Sequence, residues 1–337
     1  MAVSIPSRLD PAALLVRLAD GGPHSSQELA EHLTSSRAAV AKAIARLRVQ
    51  GVEVRASRGG YRLPQPVELL DAGRIRAVLE PEHNRRLREL QLLFEVGSTN
   101  TCLLDAPAPP VGHADACLSE LQHAGRGRRG RPWVAPFGAS LALSLGWVFK
   151  QATRALPALS LAVGVAVSRA LARAGARGMA LKWPNDIWFQ DRKIGGVLSE
   201  MRSESDGAAY VVIGVGLNVS LSEESRRKIE SIQGGVASAA DACPTPPSRN
   251  WLAGAILDEL LSMLAQFERE GFAPFHPAWM ALDALGGRTA QVMVGESAVS
   301  GIACGVDLEG ALLMNCGGRV RKFVSGEASL RVIEEHS

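Results

Sequence analysis

Gln122-His123-Ala124-Gly125-Arg126-Gly127-Arg128-Arg129-Gly130-Arg131 decides how this chain is read. Three glycines let the backbone approach a ligand closely and leave successive N–H groups exposed. Four arginines within six positions put a large positive charge on the same loop. Together they fit a phosphate or acyl-phosphate site. Gly125, Gly127 and Gly130 formally match the dinucleotide fingerprint, but that fingerprint must open a helix. Here Pro132, Trp133 and Pro136 follow, and then a strand pattern. No G-x-x-x-x-G-K-[ST] run occurs, which excludes a P-loop. A basic loop on a nucleic-acid backbone is the alternative that electrostatics alone leaves open.

Around that loop, residues 67–285 mix helix and strand. Residues 139–149 alternate, with Leu141, Leu143, Leu145 and Trp147 on one face, and read as a strand. Residues 159–174 have helical periodicity, 179–183 and 210–215 read as buried strands, and 251–270 as an amphipathic helix. The stretch 222–248 is polar, small and Pro-containing, and reads as beginning in a mobile loop. Lys182-Trp183-Pro184-Asn185-Asp186 follows an apolar strand. Pro184 stops that strand, so Lys182 sits at its end with its ammonium toward a cleft; the bland alternative is a snorkelling lysine. Asp191-Arg192-Lys193-Ile194-Gly195-Gly196-Val197-Leu198 returns as a hairpin, and Gly214-Val215-Gly216-Leu217-Asn218-Val219 closes another strand. From Gly286 onward, short alternating runs at 290–294, 301–306, 311–314 and 320–323 describe a small all-β unit.

Upstream, Leu14, Leu15 and Leu18 form one helical face, Leu29 and Leu33 a second, and Val40, Ile44 and Leu47 a third. Thr34-Ser35-Ser36 is a tight turn with N-cap chemistry between the last two. Two short helices across such a turn suggest helix-turn-helix geometry, the second presenting Ser35, Ser36, Arg37, Lys42 and Arg46 outward to DNA. Strands at 52–55 and 61–63 make a wing whose tip carries Arg58, with Arg55 and Arg62 beside it. A three-helix packing module with a solvated basic face is the competing reading. Residues 1–64 hold nine Lys/Arg against five Asp/Glu, although the whole chain is only +3, so polyanion binding belongs at this end.

Composition sets the outer bounds. At 337 residues, 47% apolar and 21% charged, the chain has material for two or three globular domains. Five scattered cysteines without a C-x-x-C pair argue for a reducing compartment and against structural zinc, and no metal-ligating residue is assigned. No apolar stretch follows a basic start and no run of about 18 apolar residues occurs, so the expectation is a cytoplasmic protein with no membrane partner.

Taken together, Ser98-Thr99-Asn100, Gly125–Arg131, Lys182–Asp186, Lys193-Ile194-Gly195-Gly196 and Gly214–Asn218 resemble, in order, the signature segments of the biotin–protein ligase family. With the N-terminal unit, the chain is similar to its bifunctional ligase/biotin operon repressor branch. The resemblance implies a multidomain α+β protein. Residues 1–66 would be a winged helix-turn-helix domain. Residues 67–285 would be a mixed α/β ligase domain of class II aminoacyl-tRNA synthetase-like type, and 286–337 an SH3-like β-barrel. It implies that biotin and ATP, with Mg²⁺, give biotinyl-5'-AMP, which biotinylates a lysine of the biotin carboxyl carrier protein of acetyl-CoA carboxylase. Biotinyl-5'-AMP would also act as co-repressor, favouring a homodimer on operator DNA.

By position, the resemblance assigns biotin binding to Ser98, Thr99, Asn100, Gln122, Gly125, Arg126, Gly127, Arg128, Lys182 and Gly195. It assigns the nucleotide to Arg128, Arg129, Arg131, Lys182, Asn185, Lys193 and Asn218, and the chemistry to Lys182, Arg126 and Arg128. The residue types agree. A carboxylate already ionised at pH 7 needs no general base to attack a phosphorus; it needs two anions brought together. Loop 220–235 offers Leu221, Ile229 and Ile232 but no aromatic residue, so no adenine contact is assigned. A metabolite-sensing repressor without catalysis and a lipoyl or octanoyl ligase are the rival readings. The intact Gly–Arg loop and Lys182 argue against the first, and the winged unit against the second.

Overall fold

In a computed structural model, residues 9–150, 155–203, 207–294, 297–324 and 328–332 are described. Helices α1 (Pro11–Leu18), α2 (Ser26–His32) and α3 (Arg37–Val49) open the chain. Each starts on a side chain that accepts from its first turn: Asp10 from Ala12 N, Ser25 from Glu28 N and Ser36 from Ala39 N. Leu14, Leu15, Leu18, Leu29, Val40, Ile44 and Leu47 close one core, as their spacing predicts. The wing is β1 (Arg55–Ser57) and β2 (Gly60–Arg62), the first starting three residues later than the predicted strand at 52–55 and the second one residue earlier than that at 61–63. Val52 and Val54 are buried in the helical core instead of pairing. Tyr61 pairs further with His24, and the backbone at Gly60 (φ 124°) lies so close to His24 that a side chain there has no room.

After α4 (Ala72–Arg76) and α5 (Pro81–Arg86) come β3 (Leu87–Val96), α6 (Thr99–Asp105), β4 (Ala114–Gln122) and β5 (Ser140–Phe149). Then follow α7 (Leu159–Arg173), β6 (Met179–Lys182), β7 (Asp186–Phe189), β8 (Arg192–Ser203) and β9 (Ala209–Asn218). These strands form one seven-stranded sheet, β3-β4-β5-β9-β8-β7-β6, antiparallel except where β3 meets β4. Residues 222–248, expected to start in a mobile loop, instead contain α8 (Glu223–Gln233) and α9 (Ala239–Ala242). Ser222 caps α8 by accepting from Ser225 N, and Glu223 and Glu224 suit its positive end; the polarity marked an exposed helix start. The 22-residue α10 (Arg249–Glu270) and the short α11 (His276–Ala281) complete the layer.

The alternation in β5 does two things at once. Leu141, Leu143, Leu145 and Trp147 belong to the large core shared with α7 and α10. The intervening Ala142 and Ser144 point to the other face, where they align with Gly216 and Gly214 of β9, and these with Gly196 and Leu198 of β8. Apart from Leu198, the side chains in these two cross-strand rows are small or absent and make a shallow floor. By length and composition residues 156–173 would suit a membrane, but 67% of that window is buried, chiefly as α7 in the core.

The C-terminal unit is a five-stranded antiparallel sheet: β10 (Thr289–Val294), β11 (Ser297–Val306), β12 (Leu312–Cys316), β13 (Arg319–Phe323) and β14 (Ala328–Val332). It meets the central sheet where the buried Trp183 donates its indole N–H to the Gly310 carbonyl at 3.0 Å. At the other end, Leu121 of β4 is buried in the core of the winged unit, with Val67, Phe94 and Phe137 packed beside it.

Candidate active site

A cavity of about 610 Å³ lies on the small-residue face of the sheet, within the usual range for small-ligand pockets. Ser98, Thr99, Asn100, Gln122, Arg126, Gly127, Arg128, Arg129, Arg131, Lys182, Asn185 and Lys193 all line it. Residues from positions 98 to 193 therefore converge on one hollow. Gly125, Gly195 and Asn218 are not on its wall. Gly125 backs onto Gln122 and the Trp133 carbonyl, and Gly195 onto the Gly216 carbonyl. Asn218 is buried and donates to the Ala237 carbonyl at 3.2 Å, holding the chain that follows α8.

One end is a closed polar network at the start of α6. Thr99 N and Oγ1 lie 3.0 and 3.2 Å from Gln122 Oε1. Ser144 Oγ lies 2.6 Å from Asn100 Oδ1 and 2.7 Å from Thr99 Oγ1. Asn100 Oδ1 can only accept, so the Ser144 proton goes there and the Thr99 proton goes to Gln122 or Ser144. Asn100 Nδ2 donates to the Leu198 carbonyl and to Glu200 Oε2, at 3.2 and 2.8 Å. The amide of Asn100 thus faces the protein. Gly214 has no Cβ because the Asn100 amide occupies that space.

The other end is cationic. Lys182 ends β6, as Pro184 predicts, beside a cis Trp183–Pro184 peptide. Its Nζ lies 4.2 Å from the centroid of Trp188. Burial pushes its pKa below the ordinary lysine range; Asp186 opposes this, and Lys193, Arg288 and Arg131 add to it. Lys193 pairs with Asp186 at 2.7 Å. Burial, then the neighbouring Arg129, likewise lowers Arg128. Among the described residues, Lys182, Arg129 and Arg131 make no ion pair. Asn185 is partly committed: its Nδ2 donates to the Val197 carbonyl at 2.6 Å, fixing the β6–β7 turn onto β8.

Between the ends runs the Gly–Arg loop, folded back on itself. Trp133 N donates to the Gly125 carbonyl and Gly127 N to the Arg131 carbonyl, at 2.9 and 2.7 Å. Arg129 (φ 58°) and Gly130 (φ 70°) make the reversal. Arg126 turns toward Glu200 and Thr101, with Nη2 3.1 Å from both Glu200 Oε1 and Thr101 Oγ1.

Sequence reasoning missed the aromatic wall. It sought aromatic residues in loop 220–235, which brings Ile232 and Gly235 to the cavity but no ring. Trp133, Trp183 and Trp188 come from other elements. A methyl group at Gly216 would lie 2.5 Å from the Trp133 ring, so the second glycine of Gly214-Val215-Gly216 admits an indole. The Nε1 donors of Trp133 and Trp188 are buried without a partner among the described residues. No cluster of three or more His, Cys, Asp or Glu exists among those residues either. His123 is exposed, 3.8 Å from Glu95.

In the N-terminal unit, Ser36, Arg37, Lys42, Arg46 and Arg58 are exposed as expected. Ser35 is not: it is half-buried in the turn, with its hydroxyl oxygen shielded from solvent. Arg46 Nη2 pairs with Glu95 of β3 at 3.0 Å, across the boundary between units.

Comparison with known proteins agrees with this geometry. Residues 95–218 match the biotin/lipoate A/B protein ligase family, and residues 12–62 match an HTH domain. The chain is 39% identical over 327 residues to the bifunctional ligase/repressor BirA of Salmonella typhimurium, covering 96% of this chain and 98% of that one. It is 33% identical over 246 residues to a biotin–[acetyl-CoA-carboxylase] ligase of Mycobacterium tuberculosis, covering 71% and 88%. The solved biotin protein ligase from Aquifex aeolicus in complex with biotin and ATP aligns with a TM-score of 0.60 at 26% identity, covering 73% of this chain and 100% of that one.

Proposed function

The chain belongs to the biotin/lipoate A/B protein ligase family, in the branch of bifunctional ligase/repressors, and from that premise we propose how its cleft works. The protein is a biotin–protein ligase and a repressor, with biotin and ATP as ligands. Its reaction is formation of biotinyl-5'-AMP and transfer of biotin to a lysine of the biotin carboxyl carrier protein. The observation that carries this reading is that one cavity joins a hydrogen-bonding end to a cationic end, with the Gly–Arg loop along its side.

The ureido ring of biotin is neutral and polar, and suits the end built from Ser98, Thr99 and Gln122. Its carboxylate then points toward Lys182. There the ammonium, with Arg128, holds the carboxylate and the α-phosphate in contact and offsets charge as the new oxygen–phosphorus bond forms and pyrophosphate leaves. Arg129 and Arg131 suit the remaining phosphates, while Asn185 and Lys193 shape the wall beside them. Asn218 acts indirectly, by holding the segment after α8 against that end. Closing residues 125–131 over the mixed anhydride shields it from water until the amine of the carrier lysine attacks its carbonyl and releases AMP.

Mg²⁺ would enter as an ion carried by the nucleotide: the wall's carboxylates, Asp186 and Asp191, are paired with Lys193 and Arg288, and no cluster of three ligands exists among the described residues. When bound it neutralises phosphate charge.

We assign residues 1–66 to operator recognition, 67–285 to the chemistry and 286–337 to support of the β6–β7 turn. Ser36, Arg37, Lys42, Arg46 and Arg58 would face DNA; Ser35 keeps a structural part in the turn. Two copies would join on a palindromic operator. The outer edge of β8 beyond Val197, where β7 has ended and only β9 pairs with it, supports a homodimer there. The compartment is the cytoplasm. The test is mass spectrometry of a carrier domain incubated with the pure protein, ATP and biotin. One biotinyl group on one lysine is expected, and an unmodified carrier would remove the ligase reading.

A further inference from the structure

We infer that Glu200 is a positioning residue that anchors the first arginine of the Gly–Arg loop to the biotin-side helix, so that the loop closes by pivoting at Arg126. The inference rests on the ligase reading above. Glu200 lies on β8, two residues beyond Leu198 and on the same face as the cavity floor. Its two carboxylate oxygens serve two elements. Oε2 accepts from Asn100 Nδ2 of α6 at 2.8 Å, and Oε1 accepts from Arg126 Nη2 at 3.1 Å. The same Nη2 lies 3.1 Å from Thr101 Oγ1, again on α6. One carboxylate therefore joins β8, α6 and the point where the chain leaves β4 for the loop.

The partners of Glu200 are themselves fixed. Asn100 is held through its oxygen by Ser144 and through its second amide proton by the Leu198 carbonyl. The space its amide needs exists because position 214 is glycine. An exposed Arg–Glu pair by itself contributes little to stability. This pair differs because its acid is shared with a buried amide whose every other bond is satisfied, so its geometry is set by the protein and not by solvent.

Charge divides the loop accordingly. Glu200 neutralises Arg126, whereas Arg129 and Arg131 have no ion pair among the described residues. An anion entering the cavity pulls on the distal arginines while Arg126 stays in place. The role of Arg126 is then to hold the hinge, and that of Glu200 to hold Arg126.

Trypsin cuts after arginine and reads the loop directly. In the ligand-free full chain, Glu200→Ala should be cut within residues 126–131 about 10-fold faster than wild type, because local opening sets the rate. Glu200→Gln keeps an oxygen for Asn100 but loses the charge, and should fall between. In pyrophosphate release, Glu200→Ala should raise the KM for biotin about 10-fold while kcat changes by less than about 2-fold. Adding Arg126→Ala should raise it by less than the product of the two single effects, since both changes remove the shared Glu200–Arg126 contact. Wild-type loop cleavage in both Glu200 variants, or additive effects in the double variant, would overturn the anchor. A wild-type protein that releases no pyrophosphate would sink the ligase reading, and the trypsin result would still decide the anchor.

Discussion

At the α6 end of the cleft, Thr99, Asn100, Gln122 and Ser144 satisfy one another. At the β6 end, Lys182, Arg129 and Arg131 crowd together without ion pairs of their own among the described residues. The first end is complete before any ligand arrives. Its free capacity is small: the Gln122 amide nitrogen and the Ser98 hydroxyl proton, neither hydrogen-bonded among the described residues. Such a receptor selects a neutral ring by the position of a few donors and acceptors. The second end holds charge that only an anion relieves, so ligand binding is what completes it. On the proposed function, specificity and catalytic force are separated along one hollow, with the Gly–Arg loop touching both ends.

The largest effect expected from this contrast is at Lys182. Lys182→Ala should slow adenylate formation by about 10²–10³-fold, the usual cost of removing one charge-stabilising donor from a preorganised site. The fold should survive, because Lys182 ends a strand and pairs with no carboxylate in the described structure. Pyrophosphate release and a thermal melt check both halves. Near-normal release would mean that the cationic end does not act on the reacting phosphate.

A smaller effect is expected at the closed end. Ser144→Ala removes a buried hydroxyl and leaves Asn100 Oδ1 without its donor. The cost should be about 1–3 kcal/mol of stability, the penalty of an orphaned buried acceptor. The KM for biotin should rise several-fold with little change in kcat, as expected when ground-state binding alone is weakened. A variant that melts like wild type and binds biotin normally would show that the network is not a unit.

Ser144 also marks the limit of what was legible in the chain. The helical faces of the winged unit, the strand at 139–149 and Lys182 at a strand end are local patterns, and each appears where spacing predicts. The Gly–Arg loop and Gly214-Val215-Gly216 were visible as glycines near charge. What hid was the pairing across strands. That Ala142 opposes Gly216, or Ser144 opposes Gly214, depends on register between strands about 70 residues apart, which a linear pattern does not carry. Trp133 was in plain view after the loop, but its site under Gly216 was not. Glu200 gave a weaker signal, the one acid in a strand that also carries Arg192, Lys193 and Arg202. The helix α8 was misread because Ser222 and the acids after it were taken for loop polarity when they are capping chemistry.

The smallest effect, and the one that separates the two ends most cleanly, is the response to pH. Burial, then the like charges around it, hold the Lys182 pKa below that of an exposed lysine despite Asp186. In the free protein its proton is therefore lost at a lower pH than in an unfolded chain. A bound carboxylate or phosphate favours the ammonium and restores the higher value. Above the lowered free-state value, anion binding must take up a proton and affinity must fall as pH rises; below it, affinity should be flat. Serine, threonine, asparagine and glutamine do not titrate there, so the α6 end contributes nothing to this slope. Calorimetry of biotin binding in buffers of different ionisation heat, from pH 7 upward, should show increasing proton uptake. Biotin methyl ester, which keeps the ring but lacks the charge, should show none, and neither should Lys182→Met. The same shift fixes a sign for stability. The folded chain binds fewer protons at Lys182 than the unfolded chain, so stability gains as pH rises through that window. Lys182→Met should therefore melt no lower than wild type at pH 7, with any advantage shrinking toward alkaline pH. Proton uptake by the uncharged ester would place the titrating group at the ring end and undo the division of the cleft.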